Sequence, residues 1–127
     1  MENIVIQPSE RTPEVNFDFV SGRLSIRGEA YPENVSTFFG PVLAALHTYL
    51  QTKPDHDVIM DIEMEYFNSS SAKALMNIFQ LMDEAVEAGV QAVVRWHYNK
   101  DDDIMQEFGE DFSEDLRFLS FETVEID

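Results

Sequence analysis

The chain has 127 residues, 44% of them apolar and 10 of them Phe, with no cysteine; it can bury one core without staples, and disulfides and thiolate metal sites are excluded. Against 25 Asp and Glu stand only 8 Lys and Arg, a formal net charge of −17, which repels phosphate backbones and anionic lipid and makes nucleic acid and membrane surfaces poor partners. No stretch approaches the roughly 20 consecutive apolar residues of a membrane span, and Met1-Glu2-Asn3-Ile4-Val5 lacks the basic and apolar regions of a signal peptide, so a cytoplasmic location is expected.

Ile4 and Ile6 suggest a short leading strand. Val15, Phe17 and Phe19 alternate with Asn16, Asp18 and Val20, and Leu24 and Ile26 alternate with Arg23, Ser25 and Arg27; two strands are expected, joined by a short hairpin turn at Ser21-Gly22. After Tyr31-Pro32-Glu33-Asn34 the period changes. Val35, Phe38, Phe39, Val42, Leu43, Leu46 and Leu50 form one apolar helix face, with Asn34 as its expected N-cap. Pro41 predicts a kink there, or a regular helix that begins only at Gly40-Pro41.

Val58, Met60, Ile62 and Met64 alternate with Ile59, Asp61, Glu63 and Glu65, a strand with one apolar face. A second helix carries Ala72, Leu75, Met76, Phe79, Met82 and Val86 and ends at Gly89. Val90 to Trp96 reads as a central strand, with Trp96 as core under the helices. Asp101 to Phe112 reads as a short acidic helix, at the sheet edge or across one end, and Phe121 to Ile126 as a final edge strand. The sum is a single α/β domain over residues 1–127: a mixed sheet of about five strands, two long helices on one face, and a short acidic helix.

The most informative segment is Asn68-Ser69-Ser70-Ser71, between a strand and a helix. Free backbone N–H groups and the positive end of the helix dipole favour an anion there. One of the four residues must cap the helix. Capping accounts for one polar residue and leaves three.

Tyr31-Pro32-Glu33-Asn34, Tyr66-Phe67-Asn68-Ser69-Ser70-Ser71 and Trp96-His97-Tyr98, in this order and spacing, resemble the SiaC-type regulatory phosphoproteins, a bacterial family whose fold is similar to STAS domains and anti-sigma-factor antagonists. The resemblance runs from about Pro13 through Glu110-Asp111-Phe112-Ser113-Glu114-Asp115. It implies a non-enzymatic partner switch without a cofactor. The family member is phosphorylated on the hydroxyl residue after the Asn of an Asn-Thr-Ser-Ser motif. A Ser/Thr protein kinase adds the group and a PP2C-like phosphatase removes it. The unmodified form binds and activates a diguanylate cyclase, raising cyclic-di-GMP and favouring biofilm or aggregation. Carried over by motif, the acceptor is Ser69, where the family often has Thr. Asn68 would then shape the turn, Ser70 or Ser71 would cap the helix, and Tyr31, Pro32, Glu33, Asn34, Tyr66, His97 and Tyr98 would offer the partner surface. The alternative in the same fold family is a STAS-like antagonist acting on an anti-sigma kinase.

Two rival chemistries lack the residues they require. A nucleophilic serine needs a base and an oxyanion site, yet the chain has only His47, His56 and His97 and no Gly-x-Ser-x-Gly elbow; His97 could serve only if its strand neighbours the one ending at Tyr66. Asn99, Asp101, Asp103 and Glu110 match a calcium-loop spacing, but Ile104 stands where that loop requires Gly.

Overall fold

The computed structural model describes residues 2–127. Its nine elements are β1 (Ile4–Ile6), β2 (Glu14–Asp18), β3 (Arg23–Ala30), α1 (Val35–Gln51), β4 (Val58–Phe67), α2 (Ser69–Glu87), β5 (Ala92–Asn99), α3 (Asp103–Glu114) and β6 (Ser120–Ile126). The strands form one sheet in sequence order, β1-β2-β3-β4-β5-β6. The first two pairings are antiparallel and the next three parallel. Six strands replace the expected five because Ile4–Ile6 pairs along Val15–Phe17.

Each parallel connection moves one strand further in the same direction, so right-handed crossovers place every helix on one face. The two long helices pack there as expected, and α3 joins them over β5 and β6. What holds α3 is the fully buried Trp96, whose indole Nε1 donates to the Met105 carbonyl at 2.9 Å. Gly109 lets the helix come close, since a Cβ there would lie 2.5 Å from Trp96 Cδ1. Phe67, Phe79, Phe112 and Phe121 complete the cluster round the indole. The opposite face stays open, lined by polar side chains such as Arg23, Arg27, Asp61, Glu63, Arg95 and His97.

Several local expectations shift by a few residues. The hairpin turn covers residues 19–22 and not only Ser21-Gly22, because the Asp18 carboxylate accepts the N–H groups of Val20 and Ser21 at 3.0 and 3.1 Å. The Ser21 N–H, chief among these donors, holds the Asp18 carboxyl below its ordinary pKa. Asn34 caps α1 as expected, accepting from Thr37 N at 3.0 Å. The helix then runs on through Pro41, whose ring faces solvent. The later start at Gly40-Pro41 is therefore ruled out.

Gly89 ends α2 with φ +108. Its N–H donates to Val86 O and that of Val90 to Ala85 O, both at 3.0 Å, a Schellman closure. Val90 thus belongs to the cap, and β5 begins two residues later than expected. In α1, burial pushes the Tyr49 phenol above its ordinary pKa, with the nearby Asp18 charge adding to the effect.

Candidate functional site

The carboxyl end of β4 is shaped by a bulge. Gly28 pairs with Met64, but Glu29 pairs with Tyr66 and Ala30 with Phe67, leaving Glu65 without a partner. Gly28 has φ +119, a backbone state that favours glycine. The extra residue reverses the alternation of β4: Val58, Met60, Ile62 and Met64 point into the core, and then Phe67 does so instead of Tyr66. Phe67 lies 4.8 Å from the Phe108 ring. Tyr66 turns outward, 51% exposed, and meets Tyr31 edge-on at 5.7 Å.

The serine turn follows at once. Asn68 is extended, at φ −86 and ψ 174, and its side chain accepts from Ser71 N at 2.9 Å. Its own N–H donates to Ala30 O at 3.1 Å, tying the turn to the end of β3. The N-cap is therefore Asn68, which corrects the assignment of that role to Ser70 or Ser71: the amide reaches the third helical N–H, the usual target of a cap. The three serines part company. Ser69 and Ser70 are exposed in the first turn, whereas Ser71 is fully buried with no hydrogen-bond partner for its hydroxyl. No acidic residue occupies the first turn of α2, so the free N–H groups and the dipole there are uncompensated by side-chain charge.

Beside this turn the amino-terminal halves of α1 and α2 enclose an open cavity of about 440 Å³. Val35, Phe39, Leu43 and Ala74 contribute apolar lining, and Glu33, Asn34, Ser70 and Lys73 contribute polar groups. Tyr31 and Pro32 are half-buried, and Glu33 makes only an exposed ion pair with Arg11 at 3.4 Å. The structure thus gathers Tyr31 to Asn34, Tyr66 and Asn68 to Ser70 at one end of the sheet. Sequence reasoning missed Lys73 and the cavity. The available signal was spacing, since Lys73 lies four residues after Ser69 on the same helix.

His97 and Tyr98 are not part of that gathering. β5 does neighbour β4, but His97 pairs with Glu63, well short of the turn. Its side chain points to the open face, where Nε2 lies 2.8 Å from Asp61 Oδ1. Tyr98 is half-buried against the core. His56 bonds the Tyr49 hydroxyl at 2.8 Å, and His47 lies 3.4 Å from Gln51. The general base that a nucleophilic serine would need is therefore not supplied by any of the three histidines. The calcium-loop spacing also fails geometrically: Asp103 and Glu110 lie on one continuous helix, capped by Asp102, so they cannot wrap a cation.

Among the described residues no helix is long and apolar enough to cross a membrane. A family model described as the SiaC family regulatory phosphoprotein matches residues 6–126. An uncharacterized protein of Pseudomonas aeruginosa (strain UCBPP-PA14) is 35% identical over 118 residues, 93% of each chain. The crystal structure of apo-SiaC from Pseudomonas aeruginosa superposes with a TM-score of 0.87 at 33% identity, covering 100% of both chains. A chain in the crystal structure of the diguanylate cyclase SiaD with its activator SiaC, from the same organism, gives 0.90 at 32% identity, covering 97% of this chain and 99% of that one.

Proposed function

The chain belongs to the SiaC family of regulatory phosphoproteins, and on that footing we propose that it binds and activates a diguanylate cyclase while Ser69 is unmodified, and lets go when Ser69 is phosphorylated. A Ser/Thr kinase and a PP2C-like phosphatase set the balance between the two forms, and the chain itself catalyses nothing. The cyclase assignment draws on the complex of SiaD with its activator SiaC. One observation carries the choice of residue: Ser69 directly follows the capping Asn68, is exposed, and stands in a helix first turn that holds no acidic side chain.

Phosphorylation adds nearly two negative charges and three acceptor oxygens. The helix start tolerates them, because its free N–H groups and dipole favour an anion. A partner seated on Tyr31, Tyr66 and the α1–α2 cavity meets that charge at its edge. A penalty of about 3 kcal/mol lowers affinity by more than a hundredfold. The switch is thus local occlusion of a surface, and the fold stays as it is.

The test uses purified diguanylate cyclases from the source cell, assayed for binding and for cyclic-di-GMP synthesis. Unmodified protein and Ser69→Ala are expected to bind and stimulate one of them. Phosphoserine at position 69, or Ser69→Asp, is expected to weaken binding at least tenfold. Equal binding by the phosphorylated and unmodified forms would refute the switch. Binding to an anti-sigma kinase in place of every cyclase would transfer the same switch to transcription.

A further inference from the structure

We infer that Lys73 is the intramolecular receptor for a phosphate on Ser69, so that modification both adds charge to the turn and captures the only cation that, among the described residues, lines the α1–α2 cavity. The inference rests on the reading of Ser69 as the modified hydroxyl. It follows from helix geometry and from what Lys73 lacks. Ser69 is the first residue of α2 and Lys73 lies four residues on, so the two side chains are neighbours on one face, about 5–6 Å apart at Cβ. Helical side chains lean toward the amino terminus. The Lys73 stem therefore tilts back over the turn that holds Ser69. An anion placed amino-terminal to a cation at this spacing is also the favourable order.

Lys73 is free for this task. It is exposed, and the ion pairs among the described residues engage Arg11, Arg27, His56, His97 and Lys100 instead. Among the described residues no other Lys or Arg lines the cavity. In a chain with 8 basic and 25 acidic residues, a cation one turn from the acceptor hydroxyl is a scarce group. Before modification, Lys73 and Glu33 both line the cavity, one charge of each sign. After modification the phosphate neutralises it and leaves excess negative charge. The charged lining of the cavity thus passes from a balanced Lys73 and Glu33 to a net negative charge.

Phosphorus NMR on the full chain tests the inference, with phosphoserine placed at position 69 by genetic-code expansion so that no kinase is needed. The second phosphate pKa, ordinarily about 6, responds to every charge near it. Lys73 and the helix dipole lower it, while Glu33 and the exposed Glu65 raise it. Only the Lys73 contribution changes on substitution. The pKa is expected to lie about 0.4 lower in the parent phosphoprotein than in Lys73→Gln. Lys73→Arg should restore it, and 1 M salt should erase the difference. Circular dichroism of each variant checks that the exposed substitution leaves the fold intact. Equal pKa values in the parent and Lys73→Gln would overturn the inference. Cyclase binding by the same samples reports on the switch separately: a lowered pKa with undiminished binding keeps the capture and sinks the switch, and equal pKa values with lost binding do the reverse.

Discussion

Asn68 does two things at once: its N–H fastens the turn to Ala30 O, and its side chain satisfies the Ser71 N–H. Asn68→Ala removes the second of these, and the expected cost is about 1 kcal/mol, read as a lower urea midpoint at unchanged slope. Asn68→Ser should recover most of it. Four polar residues in a row gave no way to choose the cap from composition, since Ser and Asn are about equally good caps. The choice depends on which residue leaves the strand extended, and that is set by pairing to β3. His97 was more legible than it looked. With Trp96 inside the core, strict alternation already sends His97 to the opposite face.

Tyr49 offers a second test at the same scale. Its folded pKa is raised above 10.0, by burial first and by Asp18 second. The folded protein therefore keeps the phenol proton at pH values where the unfolded chain has lost it. Stability from this group is complete below about pH 10. It falls as pH rises through the folded pKa. Urea unfolding at pH 9 and pH 11 should show a larger alkaline loss for the parent than for Tyr49→Phe, and equal losses would contradict the shift.

Between elements, Asp83 makes a contact that the sequence does not announce. One carboxylate oxygen accepts the N–H groups of Arg117, Phe118 and Leu119 at 3.1, 2.8 and 2.8 Å, so α2 holds the segment that leads from α3 into β6. Asp83→Ala leaves three donors without this acceptor, and the expected loss is about 2 kcal/mol. Asp83→Asn keeps an oxygen in place and should lose less. Thermal unfolding of the two variants side by side checks the order. No local pattern announces such a contact, because its partners lie 34 to 36 residues away. The helices and strands themselves were legible from their 3.6 and 2.0 periods, and Gly89 marked the end of α2. The bulge was not, since Met64-Glu65-Tyr66-Phe67 fits uninterrupted alternation until Gly28 supplies the positive φ opposite.

For the molecule as a whole, the mixed sheet and the shared helix face follow from element order and crossover handedness, which the sequence displays. The sixth strand and the seat of α3 do not follow so directly. Ile4–Ile6 is only three residues long, and the docking of α3 depends on one indole–carbonyl bond and on Gly109 facing the ring. Charge points the same way at this scale: an excess of carboxylates suits a surface that binds a protein partner and repels polyanions. Only the fold sets an apolar cavity and Lys73 beside the Ser-rich turn.

The sequential strand order carries a consequence for synthesis. A ribosome delivers the amino terminus first, at about 5–20 residues per second, and here every new strand finds its neighbour already made, so none has to be inserted between two older ones. The offset in β4 is templated by Gly28 and Ala30, residues that emerge well before Ser69. The residues that set the register ahead of the serine turn are thus synthesised before it, and Trp96, Phe112 and Phe121 of the aromatic cluster after it.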